Sequence, residues 1–356
     1  MHQVLIHPAS YDNCQEAVAA AFERFAPKLA GRRVLVKPNL LRSSAADDGI
    51  VTHPAVLAAV VREIEARGPA EIVVGDNPGI FSYGANEASF AETGLARAAE
   101  PYYRNIGTDG VRVPLKTSGF EGTVSVSRAV MEADVVISLP KFKTHGLTVI
   151  TGAIKNSYGI LPGAQKARLH MAAGKPERFH DTIVDVFKLR VPDFFIMDAV
   201  VGMEGNGPTS PDLRAVGCIL ASNNAVAMDA VMARMMGLDP GRLRFLRRAA
   251  DDGLGNYLAE RIEIIGQLPV LEDFKLPPLG GEAIAGNKAI QEMICGRTLL
   301  LPRVDPEKCT GCGTCVDQCP AGALTMVDAL PRVDADKCIT CFCCQEMCPE
   351  QAMTLV

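Results

Sequence analysis

Toward its C-terminus the chain reads Cys309-x-x-Cys312-x-x-Cys315-x-x-x-Cys319-Pro320, then Cys338-x-x-Cys341-x-x-Cys344-x-x-x-Cys348-Pro349. The runs repeat with a period of 29 residues, and so do their flanks, VDPEKC against VDADKC and ALTM against AMTL. Three thiolates two residues apart can wrap one iron–sulfur cubane in a tight loop, and the proline after the fourth turns the chain away. In this spacing the fourth Cys of each run ligates the other run's cluster. The pattern therefore predicts two 4Fe-4S clusters. One takes Cys309, Cys312, Cys315 and Cys348; the other takes Cys338, Cys341, Cys344 and Cys319. Zinc sites usually pair two C-x-x-C hooks across a long spacer, which is not the pattern here. Crossed ligation locks together a unit of about 50 residues that buries too little apolar surface to fold alone. Phe342, where small residues are common, and Cys343, an extra thiol beside Cys344, are expected to shield the second cluster or tune it, or to be bystanders.

A second chemical signal lies upstream. Between Val135 and Pro176 there is no Asp or Glu, yet the segment holds Lys141, Lys143, Lys155, Lys166, Arg168 and Lys175 with His145 and His170. Gly and Thr around these cations, as in LPKFKTHGLT and TGAIKNSYGILPG, offer backbone N–H groups beside the charge, which suits carboxylate or phosphate recognition. Three readings stand: an anionic or carbonyl-bearing small molecule, docking of the acidic cluster module, or a solvated face. Residues 301–356 hold 4 Lys or Arg against 8 Asp or Glu, so that module is acidic before any cluster adds charge. His145, His170, Asp198 and Glu204 are also residue types that ligate metals, although a polar substrate pocket is the favoured reading.

Short β-rich runs alternate with amphipathic stretches over residues 1–265, which argues for an α/β fold with a mainly parallel sheet. Strands are expected at 32–40, 70–78, 133–141, 193–201 and 215–222, and helices at 15–29, 54–67, 87–99, 180–190 and 224–236. In such sheets ligands bind beyond the carboxyl ends of the strands. The polar loops there contain Lys37-Pro38-Asn39, Gly75-Asp76-Asn77-Pro78-Gly79, Lys141 to His145, and Asp198 followed by the stretch from Gly202 to Pro208. Residues 266–300 read as a linker or strap, with a short helix at 287–296, leading to a small α+β cluster module at 301–356. Asp229, on the apolar helix NAVAMDAVMARMM, needs a partner if it is buried.

Composition bounds the rest. With 48% hydrophobic and 22% charged residues, a net charge of −5 and no Trp, the chain of 356 residues reads as globular. No apolar run approaches the roughly 18 residues that span a bilayer, and no secretion signal opens the chain. A cytoplasmic protein with no membrane span is expected, and its cysteines are read as metal ligands rather than disulfides. Cys14, Cys218 and Cys295 are expected to be buried structural thiols. An acidic chain without aromatic stacking runs is a poor nucleic-acid binder. No G-x-G-x-x-G follows a strand and no Walker loop is present, so neither a dinucleotide nor an NTP site is supported. A flavin or other organic cofactor is not indicated by any motif.

KPNL, GDNPG, LPKFKTH, TGAIKNSYG and MDAVVGMEGNGP in this order resemble the family called domain of unknown function 362, whose members often carry a bacterial ferredoxin module at the C-terminus. The resemblance covers nearly the whole chain. It implies a redox-linked role for Lys141, Lys143, Thr144, His145, Lys155 and Asn156 and names no substrate. The expected function is that of an iron–sulfur oxidoreductase of anaerobic type, passing low-potential electrons to a small anionic or conjugated carbonyl substrate. Lys37, Asn39, Lys141, Thr144, Lys155, Asn156 and Glu204 would bind the substrate. Lys143 and Lys155 would neutralise its charge, and His145 or His170 would supply protons. The alternative is a non-catalytic electron carrier or cofactor-assembly partner. Either needs an electron donor or acceptor protein.

Overall fold

A computed structural model describes residues 1–79, 84–163, 165–174, 176–277, 301–338, 341 and 343–355. The strands of the large domain are β1 (His2–Pro8), β2 (Arg33–Pro38), β3 (Glu71–Val74), β4 (Gly110–Lys116), β5 (Glu121–Ser127), β6 (Val135–Leu139), β7 (Lys141–His145), β8 (Val149–Thr151), β9 (Phe194–Met203), β10 (Leu213–Ser222) and β11 (Ile262–Ile265). One sheet takes the order β11-β1-β10-β9-β6-β2-β3, with β7 pairing β9 and β8 pairing β7. Parallel pairings join β2 to β3 and β6, β9 to β6 and β7, and β1 to β11. Antiparallel pairings join β10 to β1 and β9, and β7 to β8. The sheet is thus mixed and mostly parallel, and β4 and β5 form a separate hairpin.

The strands are apolar on both faces because both are covered. Side chains alternate across each strand. On β2, Val34 and Val36 enter one core with the helices Cys14–Phe25 and Pro54–Glu65. Leu35 enters the other, with helices Pro176–Leu189, Ala225–Met235 and Arg244–Asp251. Phe194 and Ile196 of β9 face the first core, and Phe195 and Met197 the second. This is the expected α/β architecture. Cys14 and Cys218 are buried at 3% and 4% exposure, as structural thiols would be; Cys295 lies outside the described residues.

The segment KFKTH departs from expectation. It is not a loop but strand β7, with all five residues buried. Pro140 interrupts β6, since it has no N–H to give the ladder, but its carbonyl accepts from Asp198 N at 2.9 Å. The chain then continues along β9, with Lys141 opposite Asp198 and Lys143 opposite Met203. β7 thereby carries its polar side chains past the point where β2 and β3 stop. Gly207 is required beside it, because a Cβ there would lie 2.2 Å from the Thr144 carbonyl oxygen.

In the C-terminal module, β12 (Pro302–Val304) pairs with β15 (Met353–Leu355) and β13 (Leu324–Val327) with β14 (Leu330–Val333), both antiparallel. Helical turns Thr314–Asp317 and Cys343–Glu346 carry cysteines. Among the described residues its core cluster is small, built from Cys315, Leu324, Cys344, Cys348, Ala352 and Met353, so ligated metal has to contribute to its stability. Upstream of the module, Leu268, Leu271, Phe274 and Leu276 pack on the large domain's second core. The helix expected at 287–296 and Phe342 lie outside the described residues.

Candidate functional site

At the carboxyl end of β2, the wholly buried Lys37 places its Nζ 2.8 Å from Asp76 Oδ1, beyond β3. Burial lowers the pKa of Lys37 and Asp76 opposes the shift. Asp76 is itself held by the backbone N–H groups of Leu40 and Asn77, each at 2.9 Å. Gly159 is required above the pair, since a Cβ there would meet Asp76 Oδ1 at 2.2 Å and Lys37 Nζ at 2.7 Å. A second buried pair joins Lys141 Nζ to Asp198 Oδ2 at 2.7 Å, with Tyr11 OH 2.9 Å from the same nitrogen. Both lysines are therefore internally neutralised. Neither lines the cavity described next.

That cavity, of about 80 Å³, opens where the large domain meets the cluster module. The large domain lines it with Asn39, Lys143, Lys155, Asn156, Lys166 and His170, and the module with Gln318, Cys343, Glu346 and Met347. Three lysines thus converge on one space. Lys143 Nζ donates to the Ile50 carbonyl at 2.7 Å. Lys166 Nζ donates to the carbonyls of Asn77 and Pro78. Lys155, partly buried, has no hydrogen-bonded or ion-paired partner among the described residues. Burial lowers all three pKa values, that of Lys143 strongly and that of Lys166 to about 7, and mutual repulsion adds to the shift on Lys143 and Lys166. Clustered, desolvated cations of this kind favour an incoming anion. Lys155 and Asn156 are set by the short helix Ala153–Asn156, whose first N–H groups, from Ala153 and Ile154, donate to buried Asp229 at 2.6 and 3.1 Å. That contact is the partner which Asp229 required.

The module supplies the facing wall. Glu346 Oε1 lies 2.9 Å from His145 Nε2, and Gln345 Nε2 donates to the Asn206 carbonyl at 3.4 Å. Met347 sits against Gly79 closely enough that a Cβ at 79 would meet its Cε at 2.7 Å. Burial would raise the Glu346 carboxyl, but His145, Lys155 and His170 outweigh it and hold the group well below the usual carboxylate range. The basic segment thus both touches the acidic module and lines a pocket.

The two histidines differ from expectation. His145 does not line the cavity. Its Nδ1 accepts from the backbone N–H groups of Leu147 and Thr148 at 3.1 and 3.2 Å, which leaves Nε2 as the protonated nitrogen facing Glu346. Burial, followed by the lysine charges, brings its pKa to about 4. His170 does reach the cavity, stacked on Phe179 at 4.0 Å, and burial takes its pKa to about 3. Both imidazoles are neutral at pH 7 and hold no extra proton to give. Glu204 is engaged by Arg214 at 2.9 Å and by Lys275 N at 3.3 Å, away from the cavity. Thr144 is buried in β7 and does not line it either. With Asp198 and Glu204 held elsewhere, the residues considered for a further metal do not come together. Lys166, Gln318, Cys343 and Glu346 are among the lining residues that sequence reasoning did not place at the site, although the absence of acids around Lys166 had pointed toward it.

In the module, Cys309, Cys312, Cys315 and Cys348 line one small cavity, so the fourth cysteine of the second run joins the first three. Around Cys344, burial and then the negative charges of Cys341, Cys338, Cys319 and Cys315 raise the thiol pKa. Ala323 N donates to Cys319 Sγ and Ala352 N to Cys348 Sγ, each at 3.2 Å, matching bonds 29 residues apart. These donor sets fit 4Fe-4S clusters, whose potentials respond to such N–H···S bonds.

A family model described as 4Fe-4S dicluster domain matches residues 301–349, and the module is accordingly an iron–sulfur electron-transfer unit. A thylakoid-associated protein of Synechocystis sp. is 34% identical over 252 residues, which cover 69% of this chain and 77% of that protein. Among solved structures, a Thermotoga maritima protein and the lactate racemase apoprotein of Thermoanaerobacterium thermosaccharolyticum give TM-scores of 0.42 and 0.43 at 14% and 12% identity. The matches cover 65% and 66% of this chain but only 60% and 56% of those structures. No helix among the described residues is long and apolar enough to cross a membrane. The model for the domain of unknown function DUF362 matches residues 34–234, more than half of the chain, and the chain belongs to that family.

Proposed function

We propose that this chain is a cytoplasmic reductase for a small anionic substrate, held in the cavity between the large domain and the cluster module. The observation that carries this reading is the convergence of Lys143, Lys155 and Lys166 on a cavity whose opposite wall is the cysteine-bearing turn Cys343–Glu346. Two clusters are assigned, one to Cys309, Cys312, Cys315 and Cys348 and one to Cys338, Cys341, Cys344 and Cys319. When bound, they supply single electrons at low potential. Their donor is a separate redox protein, drawn to the acidic module by charge.

The chain's own residues bind the anion and manage its protons. Lys155 and Lys143 hold the negative group, and Asn156 borders it. His170, backed by Phe179, supplies a neutral wall that limits water. Proton supply falls to Lys166 rather than to either histidine. An acid works best with a pKa near the working pH, and Lys166 stands at about 7. Two of its three protons go to the Asn77 and Pro78 carbonyls, which leaves one.

Lys143→Ala and Lys155→Ala test this reading in anaerobically prepared protein. Each is expected to leave iron content and reduction potentials nearly unchanged and to abolish anion binding measured by calorimetry. If instead the variants bind anions normally and only slow electron exchange with a partner protein in a salt-sensitive manner, the lysines dock a protein. The non-catalytic electron carrier is then the better description.

A further inference from the structure

One polar atom in the cavity narrows the class of ligand, on the reading that the cavity binds an anion. The Lys37 ammonium can only donate, and it lies 3.4 Å from Asn156 Oδ1, so that atom is the amide oxygen. Asn156 Nδ2 is correspondingly turned to Ser138 Oγ at 2.9 Å. Asn39 must then present its nitrogen to Asn156 Oδ1, and it does so at 3.2 Å. The oxygen of Asn39 is left turned away from this chain of amides. It is buried, on a side chain 8% exposed that lines the cavity, and no group among the described residues donates to it. The backbone of Asn39 is pinned as well, its N–H to Thr52 Oγ1 at 2.8 Å and its carbonyl to Thr52 N at 3.0 Å.

Thr151 Oγ1 and Gln318 Oε1 are likewise buried without partners on the cavity wall. The cavity thus combines a cationic side with two amide oxygens, Asn39 Oδ1 and Gln318 Oε1, that need a donor, and leaving a buried acceptor unmet is costly. A plain carboxylate satisfies the lysines and leaves Asn39 Oδ1 unmet. A neutral polyol does the reverse. An amine donor would carry its own positive charge toward Lys143, Lys155 and Lys166. The space, about 80 Å³ and only partly enclosed, suits a small ligand.

We infer that the cavity is built for a small hydroxycarboxylate, with its carboxylate on the lysines and its hydroxyl donating to Asn39 Oδ1. Asn39 is a specificity-determining residue in this arrangement.

The test compares acids matched in charge and differing by one hydroxyl, glycolate against acetate and malate against succinate. Each is titrated calorimetrically into the anaerobic holoprotein. Wild type is expected to bind the hydroxylated member at least roughly tenfold more tightly. Asn39→Ala should reduce that ratio to near one while leaving acetate and succinate within about twofold of wild type. Lys155→Ala should weaken both members of each pair together. Equal affinities within each pair in wild type, or a preference that survives Asn39→Ala, overturns the hydroxyl assignment and leaves the anion reading standing. Unchanged binding in Lys155→Ala, or no binding of any of the four acids at tens of millimolar, overturns the anion reading itself. Should Asn39→Ala fail to retain iron, the wild-type ratios decide the matter alone, with Asn39→Ser as the second variant.

Discussion

Lys166 offers the most direct measurement of whether the cavity is a desolvated cationic site. Its ordinary pKa of 10.5 falls to about 7, first through burial and then through Lys37 and Lys155, with Asp76 opposing. Each tenfold change in a proton equilibrium is worth ~1.36 kcal/mol, so the charged form is disfavoured in the folded protein by roughly 5 kcal/mol. The unfolded chain binds the extra proton between about pH 7 and 10.5, and stability therefore rises with pH across that window. Below it, Lys166 is charged in both states and the full penalty is present. Lys166→Met lacks this titration. It also leaves two carbonyls without their donor, which is a cost independent of pH. Guanidinium unfolding of anaerobic wild type and Lys166→Met at pH 6, 8 and 10 isolates the effect as a difference of differences, in which cluster loss largely cancels. Wild type is expected to gain on the variant by several kcal/mol between pH 6 and 10. Parallel pH curves, agreeing within about 1 kcal/mol, would refute the perturbed lysine and with it the proton-donor role.

Other outcomes follow from the same geometry. Anaerobic protein should hold about eight iron and eight sulfide per chain, and stoichiometric zinc without iron would falsify the cluster assignment. Cys319→Ser should damage the cluster of the second run, and damage confined to the first run's cluster would show uncrossed ligation. Lys141→Met strands Asp198 as an uncompensated buried charge and should cost about 3–5 kcal/mol in unfolding measurements, with anion binding by the folded fraction unchanged. Lost anion binding at full stability would return Lys141 to the site. Asp229→Asn keeps one acceptor for the two N–H groups of Ala153 and Ile154, and should lower anion affinity several-fold at constant iron content. Equal affinity would mean that Asp229 serves stability alone.

The cluster module was legible in the sequence because its chemistry is local: ligand spacing within a loop does not depend on where the rest of the chain lies. The parallel strands were legible too, since runs such as VLV and VVI are apolar on both faces only when helices cover both. The positive segment was visible as a lack of acids, but not the fate of each cation. Lys37 and Lys141 are neutralised by Asp76 and Asp198, which are distant in sequence and adjacent only after the strands align. KFKTH looked like a loop because its polarity has no apolar alternation, and the fold makes it a strand by pairing it with β9 and finding partners for Lys141, Lys143 and His145. The protonation of the basic side chains was hidden for a related reason. Burial, which composition cannot show, drives both histidines to neutrality and brings a lysine toward pH 7. Residue types and spacing along the chain thus determined the metal chemistry and the fold class. Tertiary structure alone decided which charges remain available, because desolvation and ion pairing depend on neighbours that the order of residues does not reveal.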